Sequence, residues 1–202
     1  MPLMPPLQTE RLLIRPFTLN DLDDIHQLLD IDLAAADFGT EGATSRDERQ
    51  KWLQWTVMNY EELAKLYQPP YGDRAVTLEQ TGQMIGACGY VPSFGPFEQL
   101  PSFHPTIDNA IERLCTPEFG LFYAFSPAFQ RKGYATEAAR ALVDYAFTQL
   151  HVQRIVATTT HDNAASMGVM RKLGMRIEKN PLSDPPWFQV VGILVNSLQH
   201  EP

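Results

Sequence analysis

Residues 119–150 read FGLFYAFSPAFQRKGYATEAARALVDYAFTQL, and this stretch decides the fold. It opens with a β-prone aromatic run at 119–125, continues through a short loop that contains Gly133, and ends in an alanine-rich segment at 134–150. The alanines recur at helical spacing, which predicts a helix that lies close to a sheet. The amides of a glycine turn and the N-terminus of the following helix direct positive partial charge at one point. The stretch therefore predicts an anion-binding site.

The loop between this strand and this helix reads QRKGYATE, residues 130–137. Gly133 lacks a side chain where a ligand would approach the backbone, and Ala135 keeps the first helical turn small. The loop is no Walker motif, because G-x-x-x-x-G-K-S/T is missing, and no dinucleotide fingerprint, because G-x-G-x-x-G is missing. The pattern Q-x-x-G-x-A is weak alone, but its place between a strand and a helix favours an anion site.

The N-terminal part of the chain predicts one strand and two helices. Residues 11–17 form a β-prone run, and leucines at helical spacing predict a helix at 18–30. Ser45 and Glu48 form a capping box, which starts a second helix at 45–66. We expect the apolar residues of this second helix to line one buried face, namely Trp52, Trp55, Leu63 and Leu66.

The remaining elements predict a mixed sheet. Residues 75–79 and 84–91 flank a Thr-Gly turn and predict a β-hairpin. Three further strands are predicted at 154–160, 175–178 and 187–195, with a helix at 163–173. A strand-helix-strand unit runs from 119 to 160, so its two strands should be parallel with a right-handed crossover, while the hairpin is antiparallel.

Length and composition indicate a protein with a substantial core. The chain has 202 residues, and 44% of them are hydrophobic. We expect a single domain over residues 1–202 with an inserted loop at about 92–117. A long connection in a compact domain is usually functional. The inserted loop is therefore either a lid or acceptor-binding loop, or a decoration without a role.

The charge balance and the cysteines restrict the partners. The chain carries 24 acidic and 16 basic residues, a net charge of −8. We expect no nucleic-acid partner, since such proteins usually present a basic face, whereas a cationic or amine-bearing partner is compatible. Cys88 and Cys115 follow no metal-ligand spacing, so we expect no metal and a reducing compartment. No apolar run reaches ~18 residues, and we expect a cytoplasmic protein with no membrane partner.

Several motifs, taken in order, carry a family resemblance. Q-x-x-G-x-A at 130–135 resembles the acyl-CoA-binding motif of the GNAT superfamily of N-acetyltransferases. NAAS at 163–166 with VMRKLGM at 169–175 resembles the next strand-to-helix segment of that superfamily, and TERLLIRP at 9–16 and MIG at 84–86 fit as well. Together they resemble the branch that contains the ribosomal-protein alanine N-acetyltransferases. This implies an α/β fold, with a mixed, mostly antiparallel central sheet, a parallel splayed pair and flanking helices.

The resemblance implies acetyl-CoA as the acyl donor. The pyrophosphate is then expected on the amides of the loop and first helical turn, and the pantetheine arm along the strand before the loop. Asn163 is expected to bond the pantetheine amides from the neighbouring strand end. The residues implied in binding acetyl-CoA are Tyr123, Ala124, Phe125, Gln130, Arg131, Lys132, Gly133, Tyr134, Ala135, Thr136, Asn163 and Ser166.

Acetyl transfer to an amine needs a base, an oxyanion donor and a proton for the leaving thiolate. For the base we expect Glu118, at the start of the central strand, where the family often carries an acidic residue. Many members use a tyrosine seven residues after the asparagine as the acid, but that position is Met170, which cannot donate a proton. Ser166 matches an alternative acid of the resembled branch, or else it caps a helix or contacts CoA. Weaker candidates for the base are His104, Asp108 and Glu112.

The sequence therefore predicts an N-acetyltransferase that moves an acetyl group from acetyl-CoA to a primary amine. The acceptor is a protein N-terminus or a small amine, and attack is direct, in a ternary complex, because no base is evidently paired with either cysteine. A non-catalytic acyl-CoA-binding or sensing module is the alternative. A homodimer is compatible, since the inserted loop and the helix with Trp52 and Trp55 offer surface for it.

Overall fold

A computed structural model of the protein describes residues 3–34, 43–103 and 115–197. The helices in these residues are α1 (Leu22–His26), α2 (Arg46–Lys65), α3 (Tyr134–Thr148) and α4 (Ala164–Lys172). The strands are β1 (Leu7–Gln8), β2 (Leu12–Pro16), β3 (Gly72–Leu78), β4 (Met84–Gly95), β5 (Thr116–Phe125), β6 (Arg154–Thr159), β7 (Arg176–Lys179) and β8 (Val190–Val195).

The strands follow the order β1-β2-β3-β4-β5-β6-β8-β7 in a mixed sheet. Antiparallel pairing joins β1 to β2, β2 to β3, β3 to β4, β6 to β8 and β7 to β8. The β5-α3-β6 unit gives the parallel pair, with Gly120 opposite Val156. The α/β class and the parallel pair predicted from the sequence are thereby confirmed. The splay between these two strands stays a prediction.

The chain forms two compact units, each built from two separate stretches. The first unit contains residues 1–90 and 122–142, and therefore α1, α2, β1–β3, the first part of β4, the end of β5 and most of α3. Its core is apolar, and each fully buried Leu, Ile or Phe contributes roughly 1.5–3 kcal/mol to stability. The core residues include Phe17, Ile25, Leu28, Leu53, Ala75 and Ala87, with Phe122 packed against them.

The second unit contains residues 91–121 and 143–202. It holds the end of β4, the start of β5, the last part of α3, β6–β8 and α4. Its core residues include Phe97, Leu100, Val156, Phe188, Val191 and Ile193. Whether the whole chain behaves as one domain, as expected from its length, stays a prediction.

The start of α2 and the buried face of α3 agree with the sequence predictions. Ser45 accepts a hydrogen bond from the amide of Glu48 (3.3 Å), and the Glu48 carboxylate accepts one from the amide of Ser45 (2.9 Å), so the capping box is present. The small residues of α3 at positions 138, 139 and 146, together with Leu142, are completely buried. This confirms that α3 packs closely through its alanine-rich face.

The expectation about the buried face of α2 is wrong in part. In α2 the buried residues are Leu53 and Thr56, whereas Trp55 is 56% exposed and Leu66 is 66% exposed. Trp52 packs against the core cluster that contains Leu53, so the buried face of α2 overlaps only in part with the face that apolar spacing predicts. The inserted loop expected at about 92–117 stays a prediction, because residues 104–114 of it lie outside the described residues; on either side, β4 continues to Gly95 and β5 begins at Thr116.

Candidate functional site

The loop before α3 has the geometry of an anion site. Residues 127–129 form a single 3₁₀ turn, after which Arg131 has a φ of 60° and Gly133 a φ of 86°. Left-handed residues in a short loop turn successive backbone amides toward one point, which makes a concave site for an anion. Arg131 pays a backbone cost of about 1 kcal/mol for this conformation, a cost that proteins usually accept at functional sites.

The first turn of α3 adds further donors. The amide of Glu137 bonds the carbonyl of Gly133 (3.0 Å), which is the first hydrogen bond of the helix. The preceding amides, of Tyr134, Ala135 and Thr136, therefore have no partner within the helix and carry the positive end of its dipole. A Cβ atom at Gly133 would meet one described atom within 4 Å, Nη2 of Arg11 at 3.3 Å. The loop thus offers donors, charge and space that fit a pyrophosphate.

An ion pair from the start of the chain holds this loop against α3. The Glu137 carboxylate accepts hydrogen bonds from Thr9 Oγ1 (2.6 Å), Arg11 N (3.0 Å) and Arg11 Nε (2.7 Å). Arg11 also donates from Nη1 to the carbonyl of Lys132 (3.0 Å), and its guanidinium lies 4.5 Å from the ring centre of Tyr134. Burial opposes ionisation of Glu137, but the bonds from Thr9 and Arg11 outweigh it and hold its pKa below the usual range.

Two further side chains tie the loop to the end of β5. Gln130 donates from Nε2 to the carbonyl of Phe125 (2.9 Å), and Lys132 donates from Nζ to the carbonyl of Ala128 (2.9 Å). Both residues therefore shape the loop through its own backbone. Ser126 is buried, and its hydroxyl donates to Asp32 (2.8 Å). The loop is thus held both by Arg11 and by the end of β5.

The strand residues expected along a pantetheine arm are Tyr123, Ala124 and Phe125. They close β5, directly before the loop, with Ala124 and Phe125 each 5% exposed and Tyr123 half-buried. Together with residues 130–136 they lie in the first unit. The structure thus brings ten of the predicted acetyl-CoA residues into one continuous strand-loop-helix segment.

Asn163, Ser166 and Met170 lie on α4 or at its start, in the second unit. The Asn163 side chain accepts a hydrogen bond from the amide of Ser166 (3.0 Å), so Asn163 caps the helix. Met170 is completely buried, with its sulfur 2.9 Å from the position that a Cβ atom on Gly192 would occupy. Met170 therefore fills the space above β8 and performs packing at the position where the resembled family often carries a tyrosine.

Glu118 lies on β5 in the second unit and is paired. Its side chain is 8% exposed, and its two oxygens accept hydrogen bonds from Nε (2.9 Å) and Nη2 of Arg154 on β6. The Arg154 guanidinium lies 4.1 Å from the ring centre of Phe103. A bidentate pair of this kind is among the strong hydrogen-bonding arrangements in proteins. Taking up a proton at Glu118 would cost the protein this interaction.

Tyr90 and Cys88 of β4 are both completely buried. The hydroxyl of Tyr90 donates to the carbonyl of Leu142 (2.6 Å), which fixes β4 to α3 inside the first unit. Cys88 is completely buried, and burial raises the pKa of its thiol far above the usual range. Three weaker candidates for the base lie outside the described residues, namely His104, Asp108 and Glu112.

Sequence reasoning missed the clamp formed by Thr9, Arg11 and Glu137. Thr9 and Arg11 belong to the TERLLIRP motif at 9–16, but their partner Glu137 lies 126 positions after Arg11. Only the order of the strands could have paired them.

Within residues 3–34, 43–103 and 115–197, no helix is long and apolar enough to span a membrane. The same residues hold no group of three or more His, Cys, Asp or Glu side chains that could bind a metal ion.

Comparison with known proteins identifies the family. Residues 11–176 match the family model described as the acetyltransferase (GNAT) domain. The uncharacterized N-acetyltransferase YnaD of Bacillus subtilis is 29% identical over 176 residues, which cover 85% of this chain and 83% of that protein. The spermidine N(1)-acetyltransferase of Escherichia coli is 38% identical over 53 residues, which cover 26% of this chain and 28% of that protein.

Solved structures show the same fold. The ribosomal-protein-S5-alanine acetyltransferase of Vibrio fischeri has a TM-score of 0.67 at 17% identity, covering 98% of this chain and 99% of that one. RimL, a ribosomal L7/L12 α-N-protein acetyltransferase in complex with coenzyme A, has a TM-score of 0.60 at 18% identity, covering 92% and 93%. The chain therefore belongs to the GNAT acetyltransferase family and is an acyltransferase that acts on amines.

Proposed function

We propose that the protein transfers an acetyl group from acetyl-CoA to a primary amine by direct attack in a ternary complex. The observation that supports this proposal is the loop at 130–136, where Arg131 and Gly133 have positive φ and the first amides of α3 have no partner within the helix. A coenzyme A pyrophosphate is an anion of the right kind for these donors. The pantetheine arm would continue along Tyr123–Phe125.

The acceptor must reach the thioester as a free amine. An α-amine has a pKa of ~8 and a lysine side chain ~10.4, so most of either is protonated at pH 7 and a proton must be removed first. The amine then attacks the carbonyl carbon, and a strand amide of β5 is a suitable donor for the oxyanion. A spermidine acetyltransferase and a protein N-terminal acetyltransferase are both similar to this chain, so we propose an acceptor from one of these two amine classes.

A covalent acyl-cysteine route is disfavoured. Cys88 is completely buried and its raised pKa keeps it as the thiol, which is a poor nucleophile. Cys115 is exposed, and no base is paired with it among the described residues. Direct attack by the amine is the simpler chemistry.

A homodimer is proposed as well, because Trp55 of α2 is exposed and offers an apolar surface for a second copy. Analytical ultracentrifugation tests this proposal.

An acceptor screen tests the function. Purified protein is mixed with acetyl-CoA and polyamines, aminoglycosides, unblocked peptides or N-acetylated peptides, and release of the coenzyme A thiol is followed. We expect turnover with at least one free amine and none with N-acetylated peptides. Tight acetyl-CoA binding without turnover on any amine would instead support a non-catalytic acyl-CoA-binding module. A protein that binds no acetyl-CoA contradicts both functions.

Ser166 is proposed as the proton donor for the leaving thiolate. Replacement by alanine keeps the backbone amide that bonds Asn163, so α4 keeps its cap. We expect Ser166→Ala to lower kcat about 100-fold or more, the usual range for a lost acid, with a nearly unchanged acetyl-CoA Kd. Steady-state kinetics and calorimetric titration measure the two effects. Equal changes in kcat and affinity mean that Ser166 only binds coenzyme A.

We propose Glu118 as the general base. To act in this role, Glu118 would have to give up its ion pair with Arg154. If it is the base, Glu118→Gln lowers kcat/KM about 100-fold and removes the acidic limb of the pH–rate profile. If it only supports the sheet, the same variant lowers Tm and leaves the shape of that profile unchanged. The pH–rate profile is therefore the deciding measurement, and an unchanged limb rejects the base role.

A further inference from the structure

The guanidinium of Arg11 contacts the loop before α3 at the point where the loop backbone is left-handed. Its Nη1 donates to the carbonyl of Lys132 (3.0 Å), and Lys132 lies between Arg131, with a φ of 60°, and Gly133, with a φ of 86°. Its Nη2 lies 3.3 Å from the position that a Cβ atom on Gly133 would occupy. A left-handed residue other than glycine is strained, and it persists only where its surroundings determine the conformation. Arg11 is therefore placed to determine the conformation of this loop.

Glu137 fixes the orientation of this guanidinium. Its Oε2 accepts a hydrogen bond from Nε of Arg11 (2.7 Å) and lies 2.6 Å from Nη2. Its Oε1 accepts from the amide of Arg11 (3.0 Å) and from Oγ1 of Thr9 (2.6 Å). Because Nε and Nη2 form one edge of the planar guanidinium, Nη1 is left to face the carbonyl of Lys132. The guanidinium also lies over the ring of Tyr134, 4.5 Å from its centre, so its orientation is set from several directions.

Arg11 thereby joins the two parts of the anion site. Glu137 lies in the first turn of α3, directly after the amides that have no partner within the helix, while Lys132 lies in the loop. One side chain therefore fixes the loop backbone relative to the start of the helix. A pyrophosphate that uses donors from both parts binds well only where these donors are already in place, because reordering the loop lowers the apparent affinity.

We propose that Arg11, anchored by Glu137, is a positioning residue for coenzyme A, and that it acts by holding the loop at 131–133 against the first turn of α3. The proposal deepens the proposed function, on which it rests for the identity of the ligand. The site then depends on the geometry of Arg11 and not on its charge alone. A lysine keeps the charge, but its single ammonium group lacks the planar fork that meets Glu137 and the Lys132 carbonyl together.

Two substitutions separate positioning from simple attraction by charge. Arg11→Lys keeps the positive charge, and Glu137→Gln removes a negative charge from beside the expected anion. If charge alone mattered, Arg11→Lys would bind coenzyme A like wild type, and Glu137→Gln would bind it at least as tightly. We expect each variant to bind coenzyme A about tenfold more weakly, because fewer molecules hold the loop in the binding conformation. The double variant should lose no more than either single variant, since both remove the same interaction.

Calorimetric titration of coenzyme A measures these affinities without any turnover, and thermal melts confirm that each variant is folded. Arg46→Lys is the matched control, because Arg46 on α2 also meets a carboxylate, that of Asp23, through Nε and Nη2. We expect this control to bind coenzyme A like wild type. Hydrogen exchange without ligand then reports on the loop itself. Residues 126–137 should exchange faster in Arg11→Lys and Glu137→Gln than in wild type, while β8 should exchange at an unchanged rate.

Wild-type affinity in Arg11→Lys or in Glu137→Gln, additive losses in the double variant, or an equal loss in Arg46→Lys overturns the positioning role. Weaker binding with unchanged exchange of the loop overturns it too, because Arg11 would then contact the ligand without ordering the loop. A lower melting temperature with unchanged affinity means that the ion pair supports the fold alone. Coenzyme A binding that depends on Arg11, in a protein that acetylates no amine, would contradict only the proposed function.

Discussion

Gly133→Glu is expected to abolish acetyl-CoA binding while the protein stays folded. Gly133 has a φ of 86°, so any other residue is strained there, and its side chain would project toward Arg11. A glutamate would place a carboxylate among the amides that should hold the pyrophosphate, and would compete for the Arg11 guanidinium. We expect the Kd for acetyl-CoA to rise on the order of 100-fold or more, which is ~2.7 kcal/mol.

Gly82→Glu is the matched control for this prediction. Gly82 lies in the turn between β3 and β4 with a φ of 71°, and apart from its chain neighbours no atom of the described residues lies within 4 Å of the Cβ position. The control therefore introduces the same charge and a similar backbone strain away from the loop. Calorimetric titration with acetyl-CoA and thermal melts compare the two variants. Near-wild-type affinity in Gly133→Glu, or equal losses of affinity in both variants, would contradict the assignment of this loop as the pyrophosphate site.

Among the substitutions proposed for this protein, Asp30→Asn is expected to cause the largest loss in the free energy of unfolding. The Asp30 side chain is 1% exposed and accepts hydrogen bonds from Arg49 (2.7 and 2.8 Å) and from the amide and hydroxyl of Thr44 (2.9 and 3.1 Å). It also lies 2.9 Å from Nδ1 of His26. Asparagine would turn a donor toward these donors and leave the mostly buried Arg49 unpaired, which costs about 3–5 kcal/mol.

The pH dependence of this loss has a defined sign. Burial opposes ionisation of Asp30, but the bonds from Arg49, Thr44 and His26 outweigh it and hold its pKa well below the usual range. A carboxyl with a lowered pKa in the folded state stabilises the protein above its unfolded pKa of ~3.9, and this contribution is lost as pH falls below that value. The gap between wild type and Asp30→Asn should therefore be full at pH 7 and narrow below pH 4.

Asp23→Asn is the control, and urea unfolding at pH 7 and pH 3.5 is the measurement. Asp23 also pairs with an arginine of α2, Arg46, but the two side chains are 82% and 51% exposed. An exposed ion pair contributes little, so this control should change stability by less than about 1 kcal/mol. A loss in Asp30→Asn no larger than that of Asp23→Asn would mean that the network around Asp30 does not hold the segment after α1 to α2.

Much of the candidate acetyl-CoA site was predictable because it is local. The strand, the loop with Gly133 and the helix are consecutive in the chain, and the spacing of alanines in α3 sets which face meets the sheet. The capping box of α2 is local for the same reason, since Ser45 and Glu48 are three residues apart. Interactions that span a few residues leave a pattern in the sequence, and such patterns can be interpreted directly.

The face of α2 was not predictable in this way. Apolar residues occur around much of this helix, so several rotations satisfy the spacing. In the structure Leu53 packs in the core with Ala75 of β3 and Ala87 of β4. Trp55 is left exposed as a result. Local propensity is a weak guide wherever tertiary packing favours another rotation.

The sequence by itself determined the strand-loop-helix segment at 119–150 and the family to which the chain belongs, and the anion site at the centre of that segment stays a prediction. Only the tertiary structure decided the partners of the charged side chains: Glu137 meets Arg11, and Glu118 meets Arg154. The physical reason is distance along the chain. A side-chain partner 36 or 126 residues away depends on strand order and register, and no periodicity within either segment records it.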